Sequence, residues 1–160
     1  MSLAKAGLIV VGVGAIAYAG YNYYKIQTSM LSNSNYEIDD ITIQNITLST
    51  LSLNIRLKLD NASDINVTLQ DLYLDIFLDG KNVGFILQTI QSVIPPKGTA
   101  IIPLNASVSI SSAIESLANK IGQLFSGKRT IDIKAVGHVS IKSGLVSTSA
   151  PVSFEKQIAI

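Results

Sequence analysis

The chain's 160 residues suffice for one globular domain with a terminal appendage and leave no room within them for a second domain. With 14% charged residues, 48% apolar ones and a formal net charge of +1, no strong field exists to gather nucleic acid or acidic substrates. The absence of cysteine removes disulfides, thiolate metal sites and a cysteine nucleophile, and a single histidine, His138, narrows metal and acid–base chemistry further.

The chain opens on an apolar stretch in which Gly12-Val-Gly14-Ala-Ile-Ala17 spells the G-x-G-x-x-G/A dinucleotide fingerprint. That fingerprint requires a βαβ unit and an acidic residue about 20 positions on, whereas here the stretch runs through tyrosines into Ser32-Asn-Ser-Asn35. The 19 residues from Ala6 to Tyr24 carry no formal charge, and Lys5 and Lys25 bound them. As a helix they would span roughly 28 Å, which fits a bilayer core. Leu8, Ile9, Val10, Val11, Val13 and Ile16 would face lipid, with Tyr18, Tyr21, Tyr23 and Tyr24 at the interface beside Lys25. Gly12, Ala15 and Ala19 share a helical face and form a candidate helix-packing surface. The expectation is a transmembrane helix over 1–25 and a linker over 26–35. The basic residue before the span places the N-terminus in the cytoplasm and the C-terminal domain outside. A cleaved signal peptide ending at Ala17-Tyr-Ala19 is the alternative, giving an exported sandwich.

From about Tyr36 the apolar residues alternate. Ile41 and Ile43, then Leu51, Leu53, Ile55, Leu57 and Leu59, recur at every second position with Asn54, Arg56 and Lys58 between them, the period of half-buried strands. Leu72, Leu74, Ile76 and Leu78 repeat the pattern. Asp79-Gly80 then supplies a tight hairpin turn into Val83–Leu87. Pro95-Pro-Lys-Gly98 marks another turn, before a strand over 99–109; strands over 130–141 and 145–154 close the chain through Lys142-Ser-Gly144. About seven strands predict an all-β antiparallel sandwich, immunoglobulin- or fibronectin III-like, over 36–160. Ile110, Ile114, Leu117, Ile121 and Leu124 break the period and predict one amphipathic helix, with Ser112 and Glu115 as a capping box and Gly127 as its stop.

Several stretches carry a family resemblance: LSLNIRLKLDN at 51–61, LYLDIFLDGKNVG at 72–84, VIPPKGTAIIPLNASVSI at 93–110 and IDIKAVGHVSIKSG at 131–144. In order and spacing, over about 36–156, the chain resembles the group 2 late embryogenesis abundant family, also called the water-stress and hypersensitive-response (WHy) domain. Gly80, the Pro96-Lys-Gly98 turn and Gly137 match the family pattern. Its frequent Asn-Pro-Asn turn is replaced by Asn61-Ala-Ser63. The resemblance implies a β-sandwich with one helix and a non-enzymatic, membrane-tethered role in stress tolerance or lipid association. A structural membrane protein of a lipid-containing virion or envelope complex is the alternative role.

No catalytic centre, cofactor site or metal site follows from the residues. Asp39 and Asp40 are adjacent on a strand and point apart, which is poor geometry for sharing a proton. Asp60, Asn61, Ser63 and Asp64 supply oxygens in one loop, but the EF-hand spacing and its glutamate are missing, and an Asx-type turn explains them better. Asp71, Asp75 and Asp79 fall at exposed strand or turn positions. His138 lacks a neighbouring Ser/His/Asp pattern. Tyr73 and Phe77 lie opposite the Leu72–Leu78 core stripe, where they either pack under the helix or form a partner surface. The partners expected are a lipid bilayer and protein partners or further copies of the chain, with no nucleic acid or small-molecule substrate.

Overall fold

The computed structural model describes residues 21–25, 34–110, 119 and 130–159. Seven antiparallel strands follow one another: β1 (Asn35–Ile46), β2 (Thr50–Asp60), β3 (Val67–Leu78), β4 (Lys81–Ile94), β5 (Thr99–Ser109), β6 (Thr130–Ser143) and β7 (Val146–Ala159). They form a three-stranded sheet in the order β1-β2-β5 and a four-stranded sheet in the order β4-β3-β6-β7. The strand expectations are borne out in number and in place.

The period-2 pattern is the cause of this arrangement. In β2, Leu51, Leu53, Ile55, Leu57 and Leu59 all turn inward, as do Leu72, Leu74, Ile76 and Leu78 in β3. Ile131, Ile133, Ala135, Val139 and Ile141 of β6 complete the opposing wall. Side chains therefore fill the space between the sheets, and the largest of them are less than 2% exposed.

Turn chemistry sets the register. Asp79 and Gly80 take φ of 47° and 78°, the two successive positive values of a type I′ hairpin, and Leu78 then pairs with Lys81. Gly144, at φ 59°, opens the two-residue turn between Ser143 and Val146. Gly137 has a different reason to be glycine: a Cβ there would fall 1.9 Å from the Tyr73 carbonyl oxygen, so β6 approaches β3 where no side chain fits.

Two expectations require correction or lie beyond the described residues. Among the described residues no helix is long and apolar enough to cross a membrane, which corrects the expected single-pass membrane architecture to this extent: the described residues supply no transmembrane helix. Of the expected span only 21–25 is described, a helical stretch in which Tyr21, Tyr23 and Tyr24 are exposed. Leu8 to Ala19, including the candidate packing face at Gly12, Ala15 and Ala19 and the alternative cleavage site, lie outside the described residues. So do Ile114, Leu117, Ile121 and Leu124 of the amphipathic stripe. Its first member, Ile110, is buried and donates its N–H to the Ser49 carbonyl at 2.8 Å.

Candidate functional site

The two outer faces of the sandwich differ in chemistry. On the β1-β2-β5 sheet, Arg56 pairs with Asp39 at 2.9 Å and Lys58 with Glu37 at 3.3 Å. Lys58 is held above its ordinary range, chiefly by its bond to Glu37. Further along, Asn54 and Gln44 both donate to the Asn105 side-chain oxygen, at 3.0 and 3.4 Å. This face is mostly polar, with Arg56 and Lys58 paired to acids within it, and Ile101 of β5, opposite Lys58, is its exposed apolar side chain at 53%.

The β4-β3-β6-β7 sheet presents rings and aliphatic side chains instead. Tyr73 of β3 stacks on Phe85 of β4, with centroids 5.9 Å apart, and on His138 of β6 at 5.5 Å. The cross-strand row beside Tyr73 reads Leu87–Tyr73–His138–Pro151, and the next reads Phe85–Asp75–Val136–Ser153. Phe85 is 59% exposed, Leu87 69% and Val136 39%. Phe77, half-buried, continues the patch toward Lys134, which pairs with Glu155 at 3.8 Å. Both expected surface residues, Tyr73 and Phe77, therefore sit on one outward face.

A carboxylate stands within this apolar surface. The Tyr73 hydroxyl donates to Asp75 Oδ1 at 2.9 Å, a bond that raises the tyrosine's pKa. No lysine or arginine among the described residues forms an ion pair with Asp75. Shallow depressions flank its row on both sides. One, of about 390 Å³, runs between the β4 and β5 edges and includes Phe85, Leu87, Asn105 and Ala106. The other, about 300 Å³, includes Lys134, Val136, Phe154 and Glu155.

The sheet edges are less available than this face. The bonds from Asn61 N–H to the Gly98 carbonyl and from Ile110 N–H to the Ser49 carbonyl fix the alternation along β5. Even-numbered β5 residues bond to β2 and odd-numbered ones point to the free edge, so Pro103 removes a donor from the middle of that edge. Gln91, at φ 53°, bulges the β4 edge, and Pro151 leaves β7 one N–H short. At the β1 edge, Asp40 turns to Lys156 of β7 at 2.9 Å, chiefly through a hydrogen bond that lowers the carboxyl's pKa. Such features are the usual protection against strand addition.

The remaining candidates are structural. Asp39 and Asp40 point apart to Arg56 and Lys156 as expected. Asn61 is buried: its Oδ1 accepts from Ser63 N–H and Oγ, the expected Asx turn, and its Nδ2 donates to the carbonyls of Ile65, Ile94 and Pro95. Asp60 accepts from Thr99, while Asp64 pairs with Lys97, so the loop's oxygens are spent on the fold. Among the described residues no group of three or more His, Asp or Glu is placed to hold a metal ion. Sequence reasoning missed Phe85, Leu87, Val136 and the ring of His138 as parts of the Tyr73 surface. The Asp79-Gly80 hairpin alone would set Tyr73 opposite Ile86; an irregularity between Ile76 and Phe77 shifts the pairing by one residue and brings Leu87 opposite Tyr73 and Phe85 opposite Asp75, a shift no local signal announces.

No protein-family model and no curated protein matches the chain. Solved structures do match in architecture. A protein of Arabidopsis thaliana aligns with a TM-score of 0.62 at 13% identity, covering 78% of this chain and 80% of that one. A protein described as late embryogenesis abundant aligns at 0.56 and 12% identity, over 96% of this chain and 88% of the other. A protein of Archaeoglobus fulgidus aligns at 0.54 and 10%, over 79% and 95%. At these identities the likeness is one of fold: the chain is a two-sheet sandwich similar in architecture to late embryogenesis abundant and WHy-like domains.

Proposed function

We propose that the chain is a non-enzymatic binding module whose working surface is the outer face of the β4-β3-β6-β7 sheet. The observation that carries this reading is the grouping of exposed apolar side chains: Phe85, Leu87 and Val136 surround Tyr73 on one face, while on the other Ile101 stands among paired charges. A contiguous exposed apolar patch on a sheet face is characteristic of a surface with a partner. The edges are blunted, which favours binding on the face over strand addition. The partner class in this reading is protein. A lipid carried between the sheets is disfavoured because side chains fill that space. Stress tolerance, the role implied by the family resemblance, would be exerted through complexes formed on this face.

The test compares the size of the native complex formed by three tagged forms of the full chain in its own cells. Phe85→Ser combined with Leu87→Ser should reduce the complex to the size of the free chain, while Arg56→Ser combined with Lys58→Ser should leave it intact. The opposite pattern, or an unaltered complex in both variants, overturns the assignment of the working face.

A further inference from the structure

Resting on that reading, we infer that the face selects a protein segment presenting an arginine or lysine side chain between apolar ones, with Asp75 as the receptor for the cation. Asp75 lies directly between Phe85 and Val136 in one cross-strand row, and each of these two residues borders a surface depression. A segment crossing the strands could lay apolar side chains on Phe85 and Val136, 59% and 39% exposed, and one side chain over Asp75. That central side chain meets hydrocarbon first and then a carboxylate. An aliphatic stem ending in a cation satisfies both requirements.

The charge arrangement selects for a cation. The Tyr73 hydroxyl engages Asp75 Oδ1 at 2.9 Å, leaving the second carboxylate oxygen free to accept from a guanidinium or ammonium. Lys134, the cation on the neighbouring row, pairs with Glu155 at 3.8 Å. An entirely apolar partner would cover Asp75 without replacing its water, an unfavourable outcome for a charged group. A second copy of the chain, docked face to face, would bring another Asp75 carboxylate to the same apolar surface.

The test titrates n-butylguanidinium into the isotopically labelled full chain and follows backbone and side-chain NMR shifts, with n-butanol as the neutral control. The expected result is a set of shifts confined to Phe85, Tyr73, Asp75 and Val136 that exceed those from butanol. Asp75→Asn should weaken the guanidinium response on the order of tenfold, the scale of one charge-assisted hydrogen bond. Asn keeps an acceptor for Tyr73, so unchanged shifts elsewhere in the variant would verify an intact sandwich. Equal responses to both probes, insensitive to Asp75→Asn, overturn the cation assignment and leave the apolar surface standing. Shifts that move with protein concentration before any probe is added identify a second copy as the occupant and also overturn it. Absence of any localised response overturns both the cation assignment and the surface reading.

Discussion

Asn61 and Pro95, 34 positions apart, are joined by a 2.9 Å hydrogen bond from the asparagine amide to the proline carbonyl. The same amide reaches Ile65 and Ile94, so one buried side chain fastens the β2–β3 connection to the β4–β5 turn. Asn61→Ala leaves those carbonyls without their donor at a buried side-chain position. The expected loss is about 2–4 kcal/mol by urea denaturation, combining unmade hydrogen bonds with a small cavity. A loss under about 0.5 kcal/mol, the scale of an ordinary surface change, would contradict this role. Burial also makes Asn61 a poor glycan acceptor despite its N-x-S spelling.

Gly137 and Gly80 separate two reasons for being glycine. Gly80→Ala meets no atom within 4 Å but keeps φ at 78°, and its expected cost is about 1 kcal/mol. Gly137→Ala drives a methyl into the Tyr73 carbonyl and should cost more than about 3 kcal/mol or prevent folding. Parallel thermal melts of the two variants give the ranking, and equal effects would contradict the close approach of β6 to β3.

Much of the architecture was legible because burial on one face enforces alternation. Leu51 to Leu59 and Leu72 to Leu78 identify their strands unaided, and Asp79-Gly80 fixes one register locally. The Tyr73–His138 stack depends on β3 pairing with β6, across 65 positions of chain, and no local signal encodes that pairing. The outward placement of Tyr73 and Phe77 was legible from strand alternation, and their neighbour Val136 was hidden for the same reason. The opening stretch shows the reverse difficulty: Ala6 to Tyr24 has the length and hydropathy of a membrane span, whereas the described residues supply no helix that could cross one.

Asp40 links the β1 edge to β7 through Lys156, and its carboxyl is held below the ordinary carboxylate range chiefly by that hydrogen bond. A depressed native pKa contributes stability above the unfolded value, about 3.9, and that contribution is lost as pH falls through the native value. Lys156→Met should therefore lower the melting temperature at neutral pH by the equivalent of about 0.5–1 kcal/mol, the range of a partly exposed pair. The deficit should shrink toward zero below the native pKa of Asp40, where the carboxyl is protonated in both forms. A deficit unchanged across the acid range would show that packing of the lysine stem, and not the ion pair, holds the edge.

Exposure sets opposite expectations for the two sides of the β4-β3-β6-β7 sheet. Leu74→Ala, at a site with 0% exposure, should cost about 2–5 kcal/mol. Leu87→Ser, on the outer face at 69% exposure, should alter stability by less than about 1 kcal/mol. Denaturant midpoints compare them directly, and a large loss at Leu87 would mean that it packs within the chain and is not open to a partner.

The most direct measurement places a photo-cross-linking amino acid at Leu87 and, separately, at Lys58, and irradiates the full chain in its native cells. If the outer face of the β4-β3-β6-β7 sheet is the working surface, Leu87 gives a discrete protein adduct that Asp75→Asn weakens, and Lys58 gives none. Adducts from Lys58 with none from Leu87 would contradict that assignment.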